Sequence, residues 1–252
     1  MQRYFIPDEN WNSEIVTIDG DDAHHIIRVM RMQIGDEIIC NPPNTNGAIC
    51  KITEIEEHWV TAEVIEWQDR NVELPVFVTI AQGLPKGDKL DFIFQKGTEL
   101  GASAFIPFQA KRSVVKWDAK KADKKIARYA KIIKEASEQS HRSRIPEIKP
   151  VLKLQELLKE SESYQLKIIA YEEEAKTKIF QSYASIISQL KTGDSVIICI
   201  GPEGGFSSEE VQKLKEHQFI PVRFGPRILR TETAALYALA SISYHFEELG
   251  GQ

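Results

Sequence analysis

Over residues 1–73 the apolar positions fall in short runs, and four of them read as β segments: Glu14–Ile18, Glu37–Cys40, Gly47–Thr53 and Val60–Ile65. Turn-forming residues separate them, notably Asp19-Gly20, Gly35-Asp36 and Asn41-Pro-Pro-Asn44. One helical stretch, around Asp22 to Met32, interrupts the series. Several short strands within about 70 residues predict a small barrel.

After Pro75 the rhythm changes. Val76–Ala81 is a continuous apolar run of the kind a buried strand carries, and an amphipathic segment from Lys86 to Leu100 follows. A strand near Ser103–Phe108 and a long basic helix from Lys120 to Ser140 come next. Further on, the pattern predicts helices near Lys153–Lys159, Thr177–Leu190, Ser208–His217 and Thr231–Glu247. Strands at Lys167–Tyr171, Ser195–Ile200 and Pro221–Phe224 alternate with them. Such alternation predicts an α/β domain whose mostly parallel sheet is covered on both faces. The domain boundary is placed near Asn71–Pro75, giving domains of residues 1–72 and 73–252, with no repeats or low-complexity segments.

Composition narrows the class. The chain has 252 residues, 42% hydrophobic and 27% charged, as in an ordinary globular protein large enough for two domains. Cys40, Cys50 and Cys199 are odd in number, lie in or beside apolar stretches and form no C-x-x-C, the pattern of reduced thiols in a cytoplasmic protein. No metal-ligand set is readable, and no apolar run reaches the roughly 20 residues a membrane-spanning helix needs. The net charge of −5 is uneven: residues 111–153 hold 14 Lys/Arg against 5 Asp/Glu, whereas residues 1–73 hold 5 against 15. The basic segment is either a phosphate-contacting face or a solvated amphipathic helix, and charge does not choose between them.

Two segments concentrate the chemistry. Gly201-Pro-Glu-Gly-Gly-Phe206 follows a buried strand, and Ser207-Ser-Glu-Glu210 after it fits a capping box, so a helix starts there. Strand, glycine-rich turn and helix N-terminus form a ligand crevice in open α/β sheets. The turn lacks a P-loop lysine and the G-x-G-x-x-G spacing, and Glu203 would repel a polyphosphate while suiting a cationic ligand. The other segment is Phe224–Ala235, where Gly225-Pro226 turns the chain and Thr231 reads as the N-cap of the last helix. Arg230 then stands where a cation meets an unfavourable helix dipole, which is explained either by function or by pairing with Glu232 or Glu203.

Gly201-Pro-Glu-Gly-Gly205 and Leu229-Arg-Thr-Glu-Thr-Ala234 resemble the cofactor loops of the SPOUT superfamily of RNA methyltransferases, and more narrowly its RsmE-type 16S rRNA uridine-N3 branch. Three further segments resemble that branch in the same order: His24–Arg31 with Gly35-Asp36, Gln95–Gly101, and Glu135–Ser140 with Arg142. Gly97 departs from the pattern, which calls for alanine.

The resemblance implies an N-terminal PUA-like RNA-binding β-barrel and a C-terminal α/β domain with a deep trefoil knot, assembled as a homodimer. It implies S-adenosylmethionine as cofactor and the 16S rRNA of the small ribosomal subunit as partner. The cofactor would be held by Ile200, Gly201, Pro202, Glu203, Gly204, Gly205 and Phe206 from one turn. Gly225, Ile228, Leu229, Arg230, Thr233 and Ala234 would hold it from the other, with Tyr171 and Glu172 completing the pocket. Arg230 is the catalytic candidate, either stabilising the anion that develops when uridine N3 loses its proton or holding the adjacent phosphate; Glu232 is a candidate base, but pairing with the helix N-terminus or contact with the cofactor suits it better. Arg28, Arg31, Arg112, Arg142 and Arg144 are the candidates for RNA contact; Arg28 and Arg31, three apart on a helix, would share one face. His24 and His25 read as structural or surface groups. Competing readings are a phosphate-binding enzyme, a non-catalytic RNA-binding assembly factor, and a related methyltransferase acting on transfer RNA.

Overall fold

The computed structural model describes residues 1–250 apart from Asn44, Arg70 and residues 172–181. The expected helix over Thr177–Leu190 lies partly outside the described residues, as does Glu172 altogether.

The chain divides into two units, Met1–Glu73 with Lys134–Ile145, and Leu74–Ile133 with Pro146–Gln252. The first unit holds β1 (Arg3–Phe5), β2 (Trp11–Asn12), β3 (Ile15–Ile18), α1 (Gly20–His24), β4 (Glu37–Asn41), β5 (Ala48–Ile55) and β6 (Val60–Trp67). They form a six-stranded sheet in the order β1-β4-β5-β6-β3-β2, antiparallel except where β1 runs parallel to β4. One apolar cluster fills this unit, with Val16, Ile18, Ile38, Cys40, Cys50, Ile52, Val60 and Ala62 pointing inward at the two-residue strand spacing. All three cysteines are buried and free. The expected helix to Met32 is shorter: α1 passes into a π-helical turn over His25–Met30, which ends on Arg31 in the left-handed region (φ 54°). His25 is held there structurally, its Nδ1 2.9 Å from the Tyr4 hydroxyl.

The second unit begins with β7 (Phe77–Gly83), α2 (Lys89–Glu99) and β8 (Ala104–Gln109). The basic helix α3 (Ala119–Gln139) follows, its residues from Lys134 on belonging to the first unit, then β9 (Glu147–Ile148), β10 (Leu152–Lys153), α4 (Leu154–Glu160), β11 (Leu166–Ala170) and α5 (Tyr183–Ile187). It closes with β12 (Ser195–Ile200), α6 (Ser208–Glu216), β13 (Ile220–Val222) and α7 (Thr231–Ser243). The sheet order is β10-β8-β7-β12-β11-β13 with β9 beside β8, and every pairing is parallel.

The continuous apolar runs now have their cause. In β12, Val196, Ile198 and Ile200 pack into one core with residues of α2, α5 and α7, while Ile197 and Cys199 pack into another with residues of α4 and α6. Both faces are buried, so no polar alternation survives. Gly97 also has a reason: a Cβ there would come within 2.9 Å of Phe105 and 3.3 Å of Leu239, so α2 packs on its neighbours through a bare backbone.

Candidate active site

Because the sheet is parallel, the carboxyl ends of β7, β11, β12 and β13 share one edge, where ligands bind in open α/β sheets. A cleft of about 580 Å³ opens there.

The first wall is the turn after β12. Ser207 accepts a hydrogen bond from the Glu210 amide at 3.3 Å, and Glu210 accepts from the Ser207 amide at 2.8 Å, so the expected capping box starts α6. Upstream, the Gly205 amide donates to the Pro202 carbonyl at 2.8 Å, and Gly205 has a φ of 64°. Glycine permits that conformation without strain. Gly204 packs on Arg112, whose Nη1 donates to the Gly204 carbonyl at 3.1 Å.

The second wall is the turn between β13 and α7, where Gly225 has a φ of 74°. Arg230, not Thr231, is the N-cap of α7, and its side chain makes no capping bond. Thr231 lies inside the first turn and donates its hydroxyl to the Gly201 carbonyl at 2.7 Å, so the group expected to cap instead ties the two walls together.

Electrostatics at the lip differ from the expectation for Glu203. Its carboxylate is 2.7 Å from Lys89 Nζ and accepts the Lys86 amide at 3.1 Å. Burial alone would raise its pKa, but the Lys89 ammonium and the amides outweigh burial and hold it below the usual carboxylate range. The hydrogen bond that Lys89 donates to Glu203 in turn raises the pKa of Lys89 above its ordinary value. Glu203 is thus already neutralised and does not present a bare anion to a cationic ligand. Glu232, the candidate base, does not line the cleft: its Oε2 is 3.4 Å from the same Lys89. With both carboxylates facing Lys89, Arg230 forms no ion pair among the described residues, and it is exposed on the cleft wall.

Of the expected cofactor residues, Tyr171, Ile200, Gly201–Phe206, Ile228, Leu229, Arg230 and Ala234 line the cleft. Gly225 and Thr233 do not, although both belong to the segments that form it. Sequence reasoning passed over Lys89, Arg223, Arg227 and Thr231 as lining groups, and Gln82 behind them.

The RNA-contact candidates scatter. Arg112 lies on the cleft wall. Arg28 lines a separate small cavity of about 150 Å³ with His24 and His58. Since Arg28 sits in the π-helical turn and Arg31 in the left-handed residue after it, the shared face expected of an α-helix does not form. Arg142 is buried: its Nη2 is in close contact with Glu73, its Nε lies 3.2 Å from the same carboxylate, and the Ser143 amide donates to Glu73 at 2.9 Å. Burial works to raise the Glu73 pKa, but Arg142 and the Ser143 and Arg144 amides overcome it and keep the carboxyl low. A guanidinium so enclosed cannot also meet a phosphate, which corrects the expectation for Arg142. Arg144, two residues on, is exposed. Part of the basic segment serves structure in the same way, Arg128 pairing with Asp91 and Lys134 with Asp22, while Lys120, Lys121 and Lys124 are exposed.

A parallel α/β domain with a glycine-walled cleft, carried on a chain that also has a small β domain, defines a class that sequence profiles identify. The chain belongs to the RNA methyltransferase family: residues 72–243 match the RNA methyltransferase domain and residues 18–65 the RNA methyltransferase PUA domain. Within that family it is 49% identical to the ribosomal RNA small subunit methyltransferase E of Bacillus subtilis, covering 100% of this chain and 99% of that one. The protein of the same name from Mycobacterium bovis is 31% identical over 90% of this chain and 86% of its own length. Among solved structures, a ribosomal RNA small subunit methyltransferase E from Neisseria gonorrhoeae bound to S-adenosyl methionine superposes with a TM-score of 0.85 at 29% identity, covering 98% of both chains. No helix among the described residues is long and apolar enough to cross a membrane, and no cluster of three or more His, Cys, Asp or Glu there could hold a metal.

Proposed function

We propose that this protein transfers a methyl group from S-adenosylmethionine to N3 of a uridine in 16S rRNA of the small ribosomal subunit, acting in the cytoplasm as a homodimer. The observation that carries the reading is the cleft itself. Its volume falls in the range of about 300–1,000 Å³ usual for small-molecule sites, and its lining joins apolar Ile200, Phe206 and Leu229 to backbone left open by glycine. That combination fits an adenosyl group with hydrogen-bonding edges. Tyr171, Ile200–Phe206 and Ile228–Arg230 would hold it, and when bound it supplies an electrophilic methyl on a sulfonium.

The chain's own residues supply the remainder. Uridine N3 is an imide nitrogen, poorly nucleophilic until its proton leaves, and the negative charge then spreads onto the flanking carbonyls. Arg230, exposed on the cleft wall and without a carboxylate partner among the described residues, is the group that stabilises this charge. Glu232 is not the base in this reading, because it does not line the cleft. The trefoil-knotted path of the second domain belongs to the same reading, as do the domain limits of residues 1–72 and 73–252. A homodimer is supported by apolar side chains left at the surface beside the cleft and on α7: Ile228 is 78% exposed, Tyr237 39%. Exposed Arg28, Arg31, Arg112 and Arg144 are the RNA-contacting cations.

The test is methyl transfer from labelled S-adenosylmethionine to small subunits or free 16S RNA taken from cells lacking the protein. Label on one uridine, as 3-methyluridine by mass spectrometry, is expected. Label on another RNA alone, or none with either substrate, overturns the reading.

A further inference from the structure

Behind the cleft lies a buried polar path that none of the roles above uses. Gln82, the penultimate residue of β7, is 0% exposed and does not line the cleft. Its Nε2 donates to the Thr231 hydroxyl at 2.8 Å and to the Gly83 carbonyl at 3.0 Å. Thr231 passes the path on by donating to the Gly201 carbonyl at 2.7 Å. Three segments far apart in sequence are thereby tied through one amide: the end of β7, the turn after β12 and the first turn of α7. Their packing is correspondingly close, since a Cβ on Gly83 would lie 2.6 Å from Pro202 Cδ.

The arrangement is unfavourable for stability in one respect. Gln82 Oε1 is buried with no hydrogen-bond partner among the described residues. An unpaired buried acceptor costs free energy, and a methionine of similar shape would avoid that cost. A buried amide that leaves its own oxygen unpaired, yet holds the hydroxyl that ties the two cleft walls together, has its use in the cleft.

We propose that Gln82, acting through Thr231, is a positioning residue that fixes the spacing of the 201–206 and 225–230 turns and so sets the affinity of the cleft for S-adenosylmethionine. This rests on the reading of the cleft as the cofactor site. Thr231 transmits the constraint because its hydroxyl is at once the acceptor for Gln82 and the donor to Gly201. With either bond lost, the Gly201 turn and the start of α7 can drift apart without unfolding, and the cofactor must then order them itself on binding.

The experiment compares Gln82→Met, Thr231→Val, Thr231→Ser and the Gln82→Met/Thr231→Val double variant in the full-length protein. Three quantities are read: the thermal midpoint of the unliganded protein, amide hydrogen exchange over residues 201–206 without cofactor, and the Kd for S-adenosylmethionine by calorimetry. Gln82→Met is expected to unfold near the wild-type midpoint, the lost amide bonds offset by the relieved oxygen, while exchange in the turn quickens and Kd rises about tenfold, the scale of one to two hydrogen bonds. Thr231→Val should raise Kd similarly, and Thr231→Ser, which keeps the hydroxyl, should restore most of the affinity. The double variant should be no worse than the poorer single one, because both cut one path. Unchanged exchange and Kd in Gln82→Met and Thr231→Val overturn the proposal, as does a Kd that rises only in step with a falling midpoint. If the wild type itself fails to bind S-adenosylmethionine, the cofactor reading falls and the claim about affinity with it; exchange in the turn then reports separately whether the relay holds the two turns together.

Discussion

Lys89 Nζ lies 2.7 Å from Glu203 Oε1 and 3.4 Å from Glu232 Oε2, so one ammonium in the first turn of α2 joins the glycine turn after β12 to the start of α7. Lys89 is 28% exposed and Glu203 33%, which leaves the pair screened by solvent. Replacing Lys89 by methionine is therefore expected to cost less than about 1 kcal/mol of stability. It also leaves two carboxylates without the ammonium they share, and the Kd for S-adenosylmethionine should rise roughly three- to tenfold. Lys89→Arg should keep most of the affinity. Calorimetry beside thermal unfolding checks both halves, and an unchanged Kd in Lys89→Met would remove the pair from any part in cofactor binding.

Arg230→Ala separates binding from chemistry. With the Arg230 side chain assigned to the developing charge and only its backbone to the cofactor, the variant should leave S-adenosylmethionine affinity within about threefold while lowering the single-turnover rate about 10²- to 10³-fold, the scale for losing one such donor. A single-turnover rate equal to that of the wild type would take Arg230 out of the chemistry.

Arg142 and Arg144, two residues apart, should behave oppositely. Arg142→Ala leaves the largely buried Glu73 carboxylate with only the Ser143 and Arg144 groups, and removing one partner of a buried pair costs about 3–5 kcal/mol. Denaturant unfolding should show that loss directly. Arg144→Ala should leave the unfolding midpoint nearly in place and lower the salt slope of RNA binding by about 1. Equal stability losses in the two variants would contradict the burial difference.

Glu138 gives the first unit a pH dependence. Burial pushes its pKa up to about 7, against the pull of the Lys134 ammonium and with a further push from Asp22. The folded state therefore holds a proton that the unfolded chain, titrating near the ordinary carboxylate value, releases earlier. The stability from this group is full below the unfolded pKa and is lost as pH rises through about 7. Glu138→Gln keeps an oxygen for the Phe5 amide, which donates to Glu138 at 3.2 Å, and removes the titration. Between pH 5 and 8 the wild type should lose on the order of 2 kcal/mol relative to this variant. Parallel stability curves would show that the group does not titrate in this range.

The strands buried on both faces were legible because a continuous apolar run carries its own signature, and Ser195–Ile200 matches its expected bounds. Both glycine turns were legible for a local reason as well, since positive φ and a capping box are written within six or seven residues. The short strands β1 and β2 were not, because two or three residues become a strand only through a partner elsewhere. Arg142 misled for a related cause. Its surroundings in sequence are basic, while the carboxylate that encloses it stands 69 residues earlier. Gln82 left a faint signal, a polar residue directly after an apolar run at the carboxyl end of a parallel strand, where ligand-facing groups gather. Lys89 left none, since both of its partners come from distant turns.

That residues 134–145 group with the N-terminal strands bears on any attempt to isolate the catalytic half. A truncated chain starting at Leu74 would carry this stretch along while discarding Glu73, Asp22 and Phe5, which satisfy Arg142, Lys134 and Glu138. Arg142 would lose its carboxylate, and Lys134 and Glu138 would keep only each other, so the shortened protein should be prone to aggregate even with its cleft residues all present. Division of labour along the polypeptide thus does not coincide with places where it can be cut.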